Sequence, residues 1–421
     1  MKTINPTDEQ IAAVNIIKNW YEKGSKYFSL QGPAGSGKTT ILRYLIGTLG
    51  CKTIATATTN ASVKVLENSL GDDDIVCATV HRYLRLKVIN TPEGSAVKTD
   101  EDKEPITNYD LAIVDECSMV GLDLWEKILS HPSETKWLFV GDPCQLPPVG
   151  CNISPTFSEV KDSLALKTIH RQSTDSPVYS LVSKVRESIL DGTYQIINPE
   201  FDVEVSGAVL TVTKKTDWIK QVADKFCISS CPDRVRILTY TNGDEFALNT
   251  IIRRAVMDGA VENEFLPGEP IFIKSPIMDD DKVVLNANSR LRVIASEMKK
   301  FLCKKYYFSL PEGEFNYNHV LCETEYGEKI KIKVLSISSM ADFGKYIKNR
   351  NIPWKTLNDL KAEFTDISHR YATTVRRAQG WNLKFVAFSL SELTKCRKIT
   401  DKAHNYYSAL TRTSDTVLIL V

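Results

Sequence analysis

Several things are missing from this sequence, and each absence removes a class of protein. No apolar run reaches the roughly 18 residues that a membrane-crossing helix needs. The opening MKTINPTDEQ has no continuous apolar stretch of the signal-peptide kind, so a cytoplasmic protein with no membrane partner is expected. Cysteine is dilute, ten in 421 residues, which excludes a disulfide-dense scaffold. The tightest pair, Cys227 and Cys231, has no second pair beside it and reads as reduced thiols, not as a zinc site. The six histidines are scattered, and none forms an HExxH helix. Charge of one sign is missing too: 53 basic against 52 acidic residues leave +1, so only local placement of charge can argue for a nucleic-acid partner. With 17 prolines, 20 glycines and 43% hydrophobic residues, collagen-like, low-complexity and disordered chains are excluded.

What is present is an alternation. Asn5-Pro6-Thr7-Asp8 followed by Ile11, Val14, Ile16 and Ile17 reads as a capped amphipathic helix. Tyr27 to Leu30, Thr53 to Ala57, Leu111 to Val114 and Trp137 to Val140 read as strands, with helices over Lys38 to Leu49 and Ala61 to Leu70. Short joints between them predict an α/β fold, a parallel sheet with helices on both faces. The pattern resumes in Val235 to Thr239, Ala247 to Arg254, Phe385 to Ser389 and Val417 to Val421, which suggests a second lobe. Two stretches interrupt it. Arg85 to Asn108 carries Thr91-Pro92-Glu93-Gly94 as a turn between two short extended runs, with four basic and five acidic residues. Asn286 to His369 has strand-like runs at Leu291 to Ala295, Lys304 to Phe308 and Ile330 to Leu335, then a helical, aromatic-bearing segment. It reads as a small β-rich insert of barrel type.

The chemistry sits at strand ends. Gly32-Pro33-Ala34-Gly35-Ser36-Gly37-Lys38-Thr39-Thr40 matches G-x-x-x-x-G-K-[ST] between a strand and a helix. Glycines let backbone N–H groups wrap phosphates, Lys38 is expected to reach the β- and γ-phosphates, and Thr39 to ligate Mg²⁺. Ile113-Val114-Asp115-Glu116 ends a second strand in two acids. Asp115 is placed to hold Mg²⁺ through water and Glu116 to orient or deprotonate the attacking water. A third strand ends in Gly141-Asp142-Pro143-Cys144-Gln145-Leu146-Pro147-Pro148-Val149, where Gln145 can sense the γ-phosphate. ATP and Mg²⁺ are therefore the expected cofactors.

Taken in order, Gln10, the P-loop, Asp115-Glu116, GDPCQLPPV, RRAQG at 376–380 and YYSALTRT at 406–413 resemble the motifs of superfamily 1 DNA helicases. The resemblance runs from about residue 5 to 421. It points to the 5′→3′, RecD/Pif1-like branch, and the sizes of the two inserts resemble the Dda-like helicases of T-even phages. It implies two RecA-like lobes, 1–84 with 109–157 and 158–285 with 370–421, a pin at 85–108 that splits duplex, and an SH3-like insert at 286–369 that braces it. It implies that Gln10 reads the adenine, that Gly380 joins the ATP site, and that Arg171 and Arg412 reach the nucleotide from the second lobe. Single-strand contacts would fall to Thr59, Asn60, Thr79, His81, Pro148, Thr241, Thr374, Arg377 and Gln379. Such hydroxyl, amide and basic groups suit sequence-independent grip on a strand.

The chain departs from the family at Thr58-Thr59-Asn60, where Pro-Thr-His is usual, at Arg376-Arg377, where His-Lys is usual, and at Asn286-Ala287, where Asn-Gly is common. The first two touch the nucleic-acid track, not the catalytic acids. Trp381 is expected in core packing in preference to base stacking. The resemblance implies an ATP-dependent helicase acting on single-stranded DNA and on single-strand/duplex junctions, with a single-strand-binding or replication protein as partner, in the bacterial host cytoplasm if phage-encoded. Two alternatives stay open: an RNA or RNA–DNA helicase or translocase of the same superfamily, and an ATP-driven binding switch that does not translocate.

Overall fold

A computed structural model describes residues 6–71, 75–91, 94–99, 106–168, 177–196, 209–229, 232–279, 282–303, 312–348 and 353–421. The first helix, Asp8–Lys23, is capped as expected: Thr7 and Gln10 exchange side-chain and backbone hydrogen bonds in a capping box. The chain then enters β1 (Tyr27–Gln31), β2 (Thr53–Ala57), β3 (Val76–Thr79), the hairpin strands β4 (Leu86–Thr91) and β5 (Gly94–Thr99), β6 (Leu111–Asp115), β7 (Lys136–Gly141) and β8 (Asp162–Ala165). Six of these form one parallel sheet, in the order β3-β2-β6-β7-β1-β8. Its central strands are continuous apolar runs because both faces are covered. Along β6, Leu111 and Ile113 join the core that holds Ile17, Leu42 and Leu66, while Ala112 and Val114 join the one that holds Trp125 and Ile128. In β7 the same two-residue alternation sends Leu138 and Val140 one way, Trp137 and Phe139 the other.

Further along lie β9 (Val209–Val212), β10 (Val235–Thr239), β11 (Pro270–Ile273), β12 (Ile277–Asp279), β13 (Lys282–Leu285), β14 (Arg290–Leu302), β15 (Glu314–Thr324), β16 (Lys329–Leu335), β17 (Ile367–His369), β18 (Ala372–Thr374), β19 (Leu383–Ser389) and β20 (Thr413–Leu420). A second sheet has the order β18-β10-β19-β20-β9, and β10, β19, β20 and β9 pair in parallel. Helices Pro177–Leu190 and Ile399–Leu410 lie in its core with Val182, Val185, Phe388, Tyr406 and Leu410. The third sheet, β16-β15-β14-β11-β17, is antiparallel throughout. Helices Ile337–Tyr346 and Trp354–Ala362 contribute Phe343 and Leu360 to a core with its Phe301 and Phe315.

The chain divides into two units. One comprises Met1–Trp218, Arg234–Thr241 and Thr374–Val421 and includes the strands β1–β10, β19 and β20; the other comprises Ile219–Asp233 and Asn242–Thr373 and includes the antiparallel sheet.

Two expected boundaries move. Residues 162–165 were assigned to the second lobe, yet β8 pairs with β1 and closes the edge of the first sheet. The insert was expected to begin at 286, but β11 at 270–273 pairs with β14 and β17 and belongs to the antiparallel sheet. Both strands are four residues long, too short to announce a partner by periodicity. The expected strand Lys304 to Phe308 lies outside the described residues, as does Cys231. The hairpin expected in Arg85 to Asn108 forms, with Leu86 opposite Thr99 and Thr91 opposite Gly94; its turn residues Pro92 and Glu93 lie outside the described residues.

Candidate nucleotide and nucleic-acid site

β1 ends at Gln31, and the loop 32–37 carries the chain into helix Lys38–Leu49. Gly35 and Gly37 have φ of +83° and +82°, where a Cβ would be strained. Gly37 caps the helix with no side-chain hydrogen bond, which leaves first-turn backbone N–H groups without a capping acceptor. The Gly32 N–H donates to Gly141 O at 3.0 Å, tying the loop to the end of β7. A Cβ on Gly32 would come within 2.9 Å of Ser36 Oγ and 3.0 Å of Leu166 Cβ, so the close approach requires glycine. Ser36 Oγ is buried and has no hydrogen-bond partner. Lys38 Nζ donates to Gly32 O (2.8 Å) and Pro33 O (2.9 Å), folding its charge back over the loop. Burial lowers the Lys38 pKa, and the carboxylates of Asp142, Glu116 and Asp115 oppose that shift.

Beside the loop, β6 delivers the two acids. Burial, then the neighbouring Glu116, pushes Asp115 up to about 7, with Lys38 pulling the other way. Glu116 has φ +50°, a left-handed backbone at a residue with a Cβ, which turns its carboxyl off the strand line. Gln145 follows β7; it is buried, and its Oε1 has no hydrogen-bond partner. Arg412 follows helix Ile399–Leu410 of the second sheet's layer. It is buried, donating from Nε to Ser408 O (3.1 Å) and from Nη2 to Thr411 Oγ1 (3.2 Å). Burial lowers the Arg412 pKa, and Glu116 leads the charges that oppose it.

These groups surround one cavity of about 560 Å³. Ala34, Gly35, Gly37, Lys38, Thr39, Thr40, Asp115, Glu116, Gln145, Gly380 and Arg412, all chosen from sequence, line it. Gly32, Pro33 and Ser36 do not reach its surface. Gln10 does not either: it is buried, and its Oε1 accepts the Thr7 N–H at 3.1 Å in the helix cap. Arg171 lies outside the described residues. Sequence reasoning missed Arg43, Ser62, Val65, Ser69 and Trp381 in the lining. Arg43 was within reach, since it stands one helical turn beyond Thr39. Trp381 packs against the second sheet's core, as expected, while its exposed part faces this cavity and Arg236 lies 5.7 Å over its ring. Gly380 has φ +78°, and a Cβ there would meet Ser62 Oγ at 2.9 Å.

The expected strand contacts divide in character. Thr59 and Thr79 are helix N-caps whose hydroxyls accept from Ser62 N and Arg82 N at 3.1 Å, so much of their polarity is used locally. Asn60 is exposed, and His81 is half-buried, with burial lowering its pKa. Thr241 and Arg377 are half-buried, and Thr374 Oγ1 accepts from Arg377 N at 3.4 Å. Pro148 is buried, yet it lines a second cavity, of about 380 Å³, with Val149, Tyr240, Arg376 and Lys398. Arg376 Nη2 donates to Pro147 O at 3.0 Å there. Gln379 is buried with both amide atoms unpartnered, which costs about 1–3 kcal/mol unless a ligand completes them.

A P-loop at a parallel strand's end, two acids on a nearby strand and an arginine from a second parallel sheet define the chain as a P-loop NTPase with two RecA-like sheets. The AAA domain family matches residues 6–194. The ATP-dependent DNA helicase dda of Enterobacteria phage T4 is 26% identical over 417 residues, covering 90% of each chain. Among solved structures, Pif1 helicases described in unwinding at forked dsDNA superpose with a TM-score of 0.52 at 18% identity, over 99% of this chain and 92% of theirs. The Pif1 helicase of Candida albicans gives 0.51 at 15%, over 99% and 94%. The chain is thus similar to the dda helicase over 90% of both chains and shares its two-sheet fold with the Pif1 helicases. Among the described residues no helix is long and apolar enough to cross a membrane, and no cluster of three metal-ligating side chains occurs.

Proposed function

We propose that the chain is an ATP-driven 5′→3′ DNA helicase, which loads on single-stranded DNA and opens duplex at a single-strand/duplex junction. The observation that carries this reading is the 560 Å³ cavity, where residues from two parallel sheets face one space. An ATPase assembled between two sheets can convert hydrolysis into their relative movement. The likeness to an ATP-dependent DNA helicase, over nine-tenths of both chains, supports DNA as the substrate, and the direction rests on the resemblance of the motifs to the 5′→3′ branch.

In this reading the 32–37 loop and Lys38 hold the phosphates, and Thr39 and Asp115 hold Mg²⁺. Their oxygen donors suit a hard cation, and a carboxyl pushed up to about 7 is one that a dication would draw back to its charged form. Bound there, Mg²⁺ neutralises charge on the phosphates. Glu116 orients or deprotonates the attacking water. Arg412 stabilises charge developing on the transferred phosphoryl group, so that hydrolysis depends on the second sheet's position. Gln145 reports the γ-phosphate to the Leu146–Val149 segment and its cavity. The hairpin β4–β5 serves as the pin, and the antiparallel sheet as the SH3-like insert. Opening each base-pair step costs roughly 1–2 kcal/mol of stacking, within reach of one hydrolysis.

ATP turnover measured with no nucleic acid, with single-stranded DNA and with RNA of the same sequence tests this. The expected outcome is strong stimulation by DNA and little by RNA. Stimulation by RNA alone would make the chain an RNA translocase, and none by either would make it a binding switch.

A further inference from the structure

The polar contacts around Gln145 form a clamp that the proposed chemistry does not by itself require. Asp142 is fully buried at the end of β7. Its Oδ1 accepts from Arg186 Nη1 at 2.6 Å, on helix Pro177–Leu190, and from its own loop's Cys144 N at 3.1 Å. Its Oδ2 accepts from the Tyr407 hydroxyl at 2.7 Å, on helix Ile399–Leu410. Arg186 Nη1 also donates to the Tyr407 hydroxyl at 3.1 Å, and the guanidinium lies 5.9 Å over the same ring. Two buried polar groups, Asp142 and Tyr407, and the half-buried Arg186 thus satisfy one another from three elements, an arrangement that fixes geometry.

The same helix grips both peptide groups that flank Gln145. His404 Nδ1 donates to Cys144 O at 2.8 Å, since a carbonyl can only accept, and Leu146 N donates to Ser408 Oγ at 3.0 Å. His404, Tyr407 and Ser408 stand at i, i+3 and i+4, one face of the helix. Four residues on from Ser408 comes Arg412, whose Nε donates back to Ser408 O and whose side chain lines the nucleotide cavity. One helix therefore carries the arginine of the site and holds the loop that presents its glutamine. Between those grips the Gln145 Oε1 is left buried and unpartnered, beside the cavity.

We infer that Tyr407, Arg186, His404 and Ser408 are positioning residues for ATP hydrolysis: they lock Gln145 in register with Arg412, so that the two act on the nucleotide as one body. The inference rests on the ATPase reading above. It assigns work to Tyr407 that goes beyond packing, because the hydroxyl alone, not the ring, makes the link to Asp142.

A double-mutant cycle between Tyr407→Phe and Gln145→Ala tests it, read as DNA-stimulated kcat, KM for ATP and melting temperature on the full chain. Tyr407→Phe should lower kcat about tenfold, below the ~100-fold that a 1 Å misplacement can cost, with KM for ATP unchanged. Added to Gln145→Ala, it should lower kcat no further, since its route of action is already gone. If the two effects multiply, or Tyr407→Phe leaves kcat unchanged, the positioning role is overturned. Should Tyr407→Phe fail to fold, Ser408→Ala in the same cycle applies the same two criteria. A wild-type chain that does not hydrolyse ATP would overturn the functional reading and this inference together. A wild type that hydrolyses ATP but gives an additive cycle would overturn the inference alone.

Discussion

Two desolvated carboxylates in this molecule have been driven in opposite directions, Glu269 in a buried site and Asp115 at the wall of a cavity. Glu269, in the unit with the antiparallel sheet, is lowered to about 2: burial works against its charge, but His369 and Arg253 outweigh it. Arg253 grips it with Nε at 2.6 Å and Nη2 at 2.8 Å, Leu266 N adds a bond at 3.2 Å, and His369 Nδ1 lies 3.0 Å away. Asp115, at the end of β6, is raised to about 7 by burial and by Glu116 beside it. The first carboxylate is closed by the bidentate Arg253 guanidinium and holds the fold. The second has a like charge for a neighbour, which a backbone hydrogen bond from Glu116 and the charge of Lys38 offset only in part, an environment that a bound dication would complete. Desolvation is common to both, so it does not mark a functional site; what marks it is a surrounding charge that opposes the carboxylate in place of one that pairs with it.

The largest expected effect lies on the open side of that comparison. Lys38→Ala should abolish hydrolysis. Glu116→Gln should still bind ATP while turnover falls by about 10²–10⁴, the usual contribution of a general base. Near-normal turnover in either variant, measured by phosphate release, would break the site assignment. On the closed side, folding gains from Glu269 because its pKa falls from 4.5 to about 2. That contribution is present above pH 4.5 and is lost as pH falls through 2. At about 1.4 kcal/mol per unit it amounts to roughly 3 kcal/mol at pH 7. Denaturant titration of Glu269→Gln should show a loss of this order at pH 7 that shrinks as the pH approaches 2, with KM for ATP unchanged. A pH-independent loss would mean that the carboxylate's charge is not what matters.

Mg²⁺ with a non-hydrolysable ATP analogue sharpens the contrast. At a hundred times its Kd such a ligand stabilises by about 2.7 kcal/mol. Thermal melts should show that shift in the wild type and in Glu269→Gln, and much less of it in Asp115→Asn. Replacing Arg85 to Asn108 with a short linker should leave DNA-stimulated ATPase intact and remove most unwinding; unchanged unwinding would take the pin role from the hairpin. The smallest effect is expected from Trp381→Leu. KM for ATP should rise a few-fold at constant kcat, the mark of lost uniform binding, because Trp381 borders the cavity without a role in the chemistry.

Most of the nucleotide site was legible in the sequence because each part is a short segment at a strand end. Lys38, Asp115, Glu116 and Gln145 are each named by their own neighbours in the chain. Ser62, Val65 and Ser69 were not, since they reach the cavity from a helix whose facing depends on tertiary packing. Gln10, a residue type suited to an adenine edge, has its side-chain oxygen engaged in a helix cap, a contact that its spacing from Thr7 also allows. The central strands β6 and β7 were visible as the apolar runs Leu111 to Val114 and Trp137 to Val140. The four-residue strands β8 and β11 were not, because pairing across long sequence separation leaves almost no local trace. The clamp from His404, Tyr407 and Ser408 onto residues 142–146 spans some 260 positions and could only be seen in three dimensions.

The most direct test of the central claim is ATP-dependent opening of matched DNA duplexes that differ only in carrying a 5′ or a 3′ single-stranded tail. A 5′→3′ helicase with the ATPase cavity assigned here opens the 5′-tailed duplex, and Lys38→Ala opens neither. Opening of the 3′-tailed duplex alone would contradict the assigned direction, and opening of neither by the wild type would contradict the helicase activity itself.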